Sequence, residues 1–124
     1  MHNAAFRALG LDWTYELLDV PPAELPAALK RLRQPDVAGA NVTIPHKQAV
    51  MQHMDGLDPE AVKARAVNTI VREGDRLVGS NTDIAAIRSV ITSVGVEPKG
   101  ANVVIFGTGA VSYTHLTLPT ILRV

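Results

Sequence analysis

Apolar residues recur at helical spacing in three stretches of the chain. This spacing predicts helices over Ala4–Leu9, Glu24–Arg33 and Asp83–Val94. Gly10 and Gly95 follow the first and the last of them, where a residue in the left-handed conformation commonly ends a helix. The last stretch presents an apolar face, and this face needs a sheet beneath it.

Two shorter helices are predicted from their first residues. Pro45 allows a helix to start, and Val50 and Met54 then lie on its apolar side. Asp58 precedes Pro59, which is the pattern of an N-cap residue followed by proline at the first helical position. Both helices lie between apolar runs that predict strands.

These other runs are rich in β-branched residues and predict strands. Three of them span Trp13–Val20, Val37–Thr43 and Ala101–Phe106. A further pair, Val67–Arg72 and Arg76–Gly79, is separated by three residues with a central glycine, which predicts a hairpin. Helices and strands therefore alternate, and the pattern indicates an α/β fold.

The composition limits the classes of function that the chain can serve. Twelve Lys and Arg balance twelve Asp and Glu, so no net charge is available to attract nucleic acid or an anionic membrane. No apolar run approaches the ~20 residues that cross a bilayer. The chain has no cysteine, and its four histidines are scattered, so we expect no metal site. We expect a cytoplasmic protein whose partner is a small molecule.

Three polar clusters each close an apolar run, at Gly39–Lys47, Ala66–Thr69 and Ser80–Asp83. They contain a lysine, amides, hydroxyls and a carboxylate, which are groups that strand ends usually present to a cleft. Such a set suits an alcohol or ketone substrate.

Each central residue of these clusters also has a purely structural explanation. Lys47 lies near a predicted helix start, where the helix dipole disfavours a cation, so its placement suggests a functional role. A solvated surface lysine is the structural alternative. Asp83 directly precedes an amphipathic helix and could serve only as its N-cap. Asn68 could cap a strand or bond to neighbouring backbone.

In combination, the three clusters resemble the motifs of the shikimate dehydrogenase family over about residues 1–110. The resemblance implies a three-layer, mostly parallel sheet in a substrate domain. It also implies NADPH-dependent reduction of 3-dehydroshikimate to shikimate, a step of aromatic amino acid biosynthesis. Lys47 and Asp83 would be the catalytic acid–base pair, and Thr43, Lys47, Asn68 and Asp83 would bind the substrate.

Two positions depart from the family pattern. Arg65 stands where the family normally carries glycine, and Ile84 stands where a small residue often follows the Asn-Thr-Asp motif. The first departure leaves the local backbone geometry open. We expect the side chain of Ile84 to pack inward.

The resemblance also implies how the chain is divided. Residues 1–82 correspond to a substrate domain without its first strand, and residues 83–110 to a linker helix and the first strand of a Rossmann-like NADP-binding domain. Gly107, Thr108, Gly109 and Ala110 resemble the opening of the cofactor-binding turn. The third small residue and the following helix of such a turn are absent from the sequence.

The last segment has a different character. Val111–Leu116 resembles the translation of a sequencing adapter, so we interpret residues 111–124 as a non-native tail. A divergent loop of a βα unit is the alternative. We expect the 124-residue chain by itself to be inactive as a dehydrogenase.

Other functions remain open at the level of sequence. A quinate or quinate/shikimate dehydrogenase would use the same residues, and a fragment that binds a small acid without catalysis belongs to another class. The choice of NADP over NAD comes from the resemblance alone. The intact parent could be a monomer or a homodimer.

Overall fold

The computed structural model describes residues 1–97 and, as backbone, two strands at 103–105 and 121–123. Residues 1–97 contain helices, strands and two 3₁₀ turns, at Pro22–Glu24 and Ala49–His53. In chain order the helices and strands are α1 (His2–Ala8), α2 (Leu25–Arg31), β1 (Gly39–Asn41), β2 (Gly56–Leu57), α3 (Pro59–Ala64), β3 (Thr69–Glu73), β4 (Arg76–Ser80) and α4 (Thr82–Ser93). Strands β5 (Val103–Ile105) and β6 (Ile121–Arg123) pair in parallel with each other.

The strands β1 to β4 form one sheet in the order β1-β3-β4-β2. β3 pairs antiparallel with β1 and with β4, whereas β2 pairs parallel with β4. The α/β class is confirmed, but this sheet is mixed rather than mostly parallel. The reason is the predicted hairpin: a turn of two residues, with Gly74 at φ 62°, joins β3 to β4 and can connect only antiparallel strands.

The core lies on one face of this hairpin. Ile70 of β3 and Leu77 of β4 are almost completely buried, and they belong to one cluster with Leu25 and Leu29 of α2. Val71, which alternates with Ile70 along β3, is 45% exposed. The buried apolar face of α2 therefore holds one side of the sheet, as the helical spacing of its leucines predicts.

A smaller cluster fixes the start of α4. Ile84 is 3% exposed and packs with Ala64 of α3 and with Ala66. The prediction that Ile84 packs inward is confirmed. Gly95 follows the helix at φ 79°, which confirms the predicted end of α4. No helix in the described part of the chain is long and apolar enough to cross a membrane.

The strand predicted at Trp13–Val20 is wrong, because residues 11–20 have no regular structure. A strand needs a neighbour for its backbone N–H and C=O groups, and none of the described strands pairs with this segment. Side chains hold it instead. The Asn3 carboxamide bonds to the backbone N and O of Tyr15 at 2.6 and 2.9 Å, and His46 Nε2 lies 2.6 Å from the oxygen of Val20.

The helix predicted after Pro45 is only the 3₁₀ turn at Ala49–His53, although its buried residue is Val50, as predicted. The N-cap role of Asp58 is confirmed, since its side chain accepts from the backbone N of Ala61 at 2.6 Å. At the other end of α3, Arg65 has φ 50° and ψ 39°. A side chain with a Cβ is strained in this left-handed conformation, which explains why glycine suits the position.

We expect Arg65→Gly to raise the free energy of unfolding by about 0.5–1 kcal/mol, because relief of ~1–2 kcal/mol of left-handed strain exceeds the added entropy of the unfolded chain. The control is Lys63→Gly inside α3, which should instead destabilise by ~1 kcal/mol. Urea unfolding of the two variants measures both changes. If both variants lost stability equally, Arg65 would not be strained.

A second prediction concerns Asp55, whose Oδ2 accepts from Arg33 Nη1 at 2.6 Å and from the backbone N of Leu77 at 2.7 Å. The Arg33 guanidinium, followed by the Leu77 N–H, lowers the pKa of Asp55. The contribution of the Asp55 carboxylate to the free energy of unfolding is therefore fully present above the unfolded carboxyl pKa of ~3.9. It is lost as the pH falls through the lowered pKa of the folded state. We expect Asp55→Asn to be less stable than the wild type at neutral pH.

The same variant should lose less stability than the wild type on acidification, because it has no carboxylate to protonate. Thermal melts between neutral pH and about pH 2.5 test this, with Asp12→Asn in the exposed segment 11–20 as the control. A parallel decline of wild type and Asp55→Asn over the whole range would contradict the assignment.

Candidate active site

Three side chains from separate segments meet at one end of the hairpin. The Lys47 ammonium donates to Asp83 Oδ2 over 2.8 Å, and Asn68 Nδ2 donates to Asp83 Oδ1 over 2.8 Å. The side chains of Lys47 and Asp83 are 14% and 30% exposed, so the ion pair is partly shielded from water. The structure thus brings together three of the four residues that the sequence analysis proposed for substrate binding.

Lys47 is held in place by the backbone on both sides of it. Its carbonyl oxygen accepts from the backbone N of Val67 over 2.7 Å, which joins the turn after β1 to the segment before β3. The neighbouring His46 accepts a backbone bond from Val50 and reaches Val20 through its ring. Lys47 therefore approaches Asp83 from a turn that is tied to the core.

Asn68 lies between two strands and is 8% exposed. Its backbone N donates to the oxygen of Ser80 over 3.0 Å, and its oxygen accepts from the N of Val42 over 2.8 Å. Its Oδ1 accepts from the backbone N of Thr82 and from Thr69 Oγ1, while Nδ2 donates to Thr82 Oγ1 and Asp83 Oδ1. Every donor and acceptor position of the carboxamide is in use.

The N-cap of α4 is Asn81, not Asp83. Asn81 has extended backbone, its Oδ1 accepts from the N of Asp83 over 3.0 Å, and its Nδ2 donates to the oxygen of Ala66 over 2.9 Å. The interpretation of Asp83 as only an N-cap is therefore wrong, because Asn81 already fills that role. Asp83 lies in the first helical turn, where the helix dipole favours a carboxylate, and its oxygens are directed to Lys47 and Asn68.

Thr43 lies at the start of the turn that leads to Lys47. Its side chain is exposed, and its carbonyl oxygen accepts from the backbone N of His46 over 2.9 Å. Within residues 1–97 no hydrogen bond joins its hydroxyl to Lys47, Asn68 or Asp83. A contact of Thr43 with substrate remains a prediction.

Sequence reasoning missed the hydroxyl and amide groups that surround Asn68. Thr69, Thr82 and Asn81 all bond within the cluster. Tyr15 lies further out, and its hydroxyl donates to Asn41 Oδ1 over 3.0 Å. The signal that could have found the inner residues is the repeated Asn-Thr pair, at 68–69 and 81–82, after two paired strands.

The histidines have structural contacts that differ from one another. The ring of His2 stacks on that of Tyr15 with centroids 4.2 Å apart, and His46 contacts Val20. No group of three or more His, Asp or Glu residues is arranged around a metal position in the described residues. The predicted cofactor-binding residues Gly107, Thr108, Gly109 and Ala110 lie outside the described residues.

The arrangement can transfer a proton. An ammonium group can give a proton to an oxygen that gains negative charge, and a carboxylate beside it holds the ammonium in position and stabilises its charge. Asp83 remains 30% exposed, so solvent can reach the pair. These properties suit general acid–base chemistry on a small polar ligand.

Comparison with known proteins identifies the family that this segment matches. A family model described as the shikimate dehydrogenase substrate binding domain matches residues 1–70. The shikimate dehydrogenase (NADP(+)) of Symbiobacterium thermophilum is 42% identical over 99% of this chain and 43% of its own length. The chain thus spans less than half the length of this relative.

Two solved structures are similar to this chain in fold and sequence. The shikimate 5-dehydrogenase of Thermus thermophilus, in complex with NADP(H) and shikimate, has a TM-score of 0.78 and 36% identity over 94% of this chain and 44% of its own. The 5-ketofructose reductase of Gluconobacter sp. strain CHM43, in a ligand-free form, has a TM-score of 0.78 and 32% identity over 94% of this chain and 42% of its own.

The family model covers more than half of the chain, and the motifs it spans include the turn with Lys47 and the strand entry with Asn68. The chain therefore belongs to the shikimate dehydrogenase family, whose substrate-binding domain it carries over residues 1–70.

Proposed function

We propose that this chain forms the substrate-binding part of a shikimate dehydrogenase, which reduces 3-dehydroshikimate to shikimate with NADPH. The observation that carries the proposal is the 2.8 Å contact between Lys47 and Asp83, two residues 36 positions apart in the chain. The similarity to NADP(+)-dependent shikimate dehydrogenases supports the choice of substrate and reductant.

In the proposed reaction the residues of this chain manage the proton. When bound, NADPH would supply a hydride to the carbonyl carbon of the substrate. Lys47 gives a proton from Nζ to the oxygen that becomes the hydroxyl, and solvent then restores the ammonium. Asp83 holds Nζ in position throughout and stabilises its positive charge.

Asn68 and Thr43 complete the proposed substrate contacts. Because Asn68 already uses all its hydrogen-bonding positions, a substrate hydroxyl would have to replace one of its partners. Thr82 Oγ1 is the partner most easily replaced, since Thr82 is exposed and its backbone N stays bonded to Oδ1. Thr43 offers an exposed hydroxyl on the turn that leads to Lys47.

A second candidate is the reduction of a different polar ketone. The similarity to a 5-ketofructose reductase favours this candidate, because the same fold there belongs to a reductase with another name and substrate. Quinate, which lacks the ring double bond of shikimate, is a further substrate that the same groups fit. The proposal includes NADP rather than NAD as the cofactor. It also includes that the longer parent protein is a monomer or a homodimer.

The proposal is tested with a chimera in which residues 1–97 of this chain replace the matching segment of the Symbiobacterium thermophilum enzyme. We expect the chimera to reduce NADP(+) in the presence of shikimate, and to do so more slowly with quinate. A higher rate with a ketohexose-derived alcohol than with shikimate would favour the second candidate. A folded chimera that turns over none of these substrates would contradict the proposed function.

Lys47→Ala in the chimera should lower kcat by about 10²- to 10⁴-fold and change KM less, because proton transfer is needed mainly in the transition state. Lys63→Ala is the matched control, since Lys63 is an exposed lysine that pairs only with Glu60 over 3.2 Å among the described residues. The assignment of Lys47 is wrong if Lys47→Ala keeps the kcat of Lys63→Ala.

A further inference from the structure

The orientation of the Asn68 carboxamide follows from a group that can only donate. The backbone N–H of Thr82 lies 3.0 Å from one of its two terminal atoms, so that atom must be the oxygen. The other atom is then the NH₂ group, and its two protons go to Thr82 Oγ1 and Asp83 Oδ1. Asp83 Oδ1 consequently accepts a bond from this NH₂ group.

The same logic fixes the direction of the bond with Thr69. Thr69 Oγ1 lies 2.9 Å from Asn68 Oδ1, which has no proton to give, so the Thr69 hydroxyl donates. Its lone pairs are left for Asn41 Nδ2, 3.5 Å away, and Asn41 Oδ1 in turn accepts from the Tyr15 hydroxyl. In the series Tyr15, Asn41, Thr69 and Asn68, each side chain therefore donates to the next one, and Asn68 donates to Asp83.

We propose that Thr69 is a positioning residue for the Lys47–Asp83 pair, acting through Asn68. By donating to Oδ1, the Thr69 hydroxyl holds the carboxamide in the orientation that presents Nδ2 to Asp83. Without that proton the Thr82 N–H, at 3.0 Å, is the one short bond left on Oδ1, beside the longer 3.3 Å contact with the Thr82 hydroxyl. The carboxamide then rotates more freely, and Nδ2 is held less firmly against Asp83 Oδ1.

Thr69 is well placed for this role because the sheet holds it. It is the first residue of β3, it pairs with Ser80 of β4, and its backbone pairs with Asn41 of β1. Ser80 is a matched control, since its hydroxyl lies at the same level of the hairpin and contacts the carbonyl oxygen of Thr69 instead of the Asn68 side chain. The role of Thr69 in turnover rests on the proposed function, whereas its contact with Asn68 does not.

The contact is tested in the full 124-residue chain by NMR of the Asn68 side-chain amide. We expect Thr69→Val to accelerate the exchange of the Nδ2 protons with water by about tenfold, the equivalent of one hydrogen bond, while backbone signals outside the cluster stay unchanged. Thr69→Ser should keep the wild-type rate because it keeps the hydroxyl, and Ser80→Ala should keep it because Asn68 is untouched. An unchanged rate in Thr69→Val would overturn the proposal.

The consequence for catalysis is tested in the chimera. Thr69→Val should lower kcat by about 3- to 10-fold with little change in KM, and Thr69→Ser should restore at least half of the activity. A loss that Thr69→Ser does not restore, or an equal loss in Ser80→Ala, would show that packing matters rather than the hydroxyl, and would overturn the role. If the unmodified chimera has no turnover, the proposed function fails while the NMR result still decides the contact.

Discussion

A buried carboxamide must find partners for two N–H groups and two oxygen lone pairs, and Asn68 finds all four in two short segments of the chain. One segment is strand β3, which begins directly after Asn68, through Thr69. The other is the start of α4, through Thr82 and Asp83. A side chain satisfied in this way has one orientation, so the carboxylate of Asp83 is held from Asn68 on one side and from Lys47 on the other. The position of the site therefore depends on this amide.

The core supplies the rigid support that the amide needs. Val67, directly before Asn68, is completely buried, and its backbone N bonds to the oxygen of Lys47. Ile70, two residues after Asn68, is buried beneath α2. The N-cap residue Asn81 ties α4 to the oxygen of Ala66. Apolar burial thus fixes the backbone around residues 66–70, and hydrogen bonds then direct the polar side chains within it.

The sequence was most informative where local chemistry decides the structure. The cap at Asp58, the turn at Gly74 and the helix end at Gly95 each depend on residues within a few positions, and the structure confirms all three. The contact of Lys47 with Asp83 was expected from the family resemblance, since no local rule joins residues so far apart. Arg65, marked only as a departure from the family, is the strained left-handed residue that ends α3.

The errors share a cause, which is that the deciding partner lies elsewhere in the chain. Trp13–Val20 has the residues of a strand, but a strand exists only beside another strand. Asp83 has the residue type of an N-cap, but Asn81 is one position before the helix and takes the role. Whether two neighbouring strands pair parallel or antiparallel likewise depends on the connection between them, which the spacing of apolar residues does not show.

The most direct test of the account is a titration of the ¹⁵N-labelled 124-residue chain with shikimate. If the amide-centred cluster is the substrate site, the signals of the Asn68 side chain and of the backbone at Lys47 and Asp83 shift together and saturate with one dissociation constant. The signals of Gln52 and Lys63, outside the cluster, should stay in place. Shifts confined to other surfaces, or no shift at saturating shikimate with the cluster intact, would contradict the account.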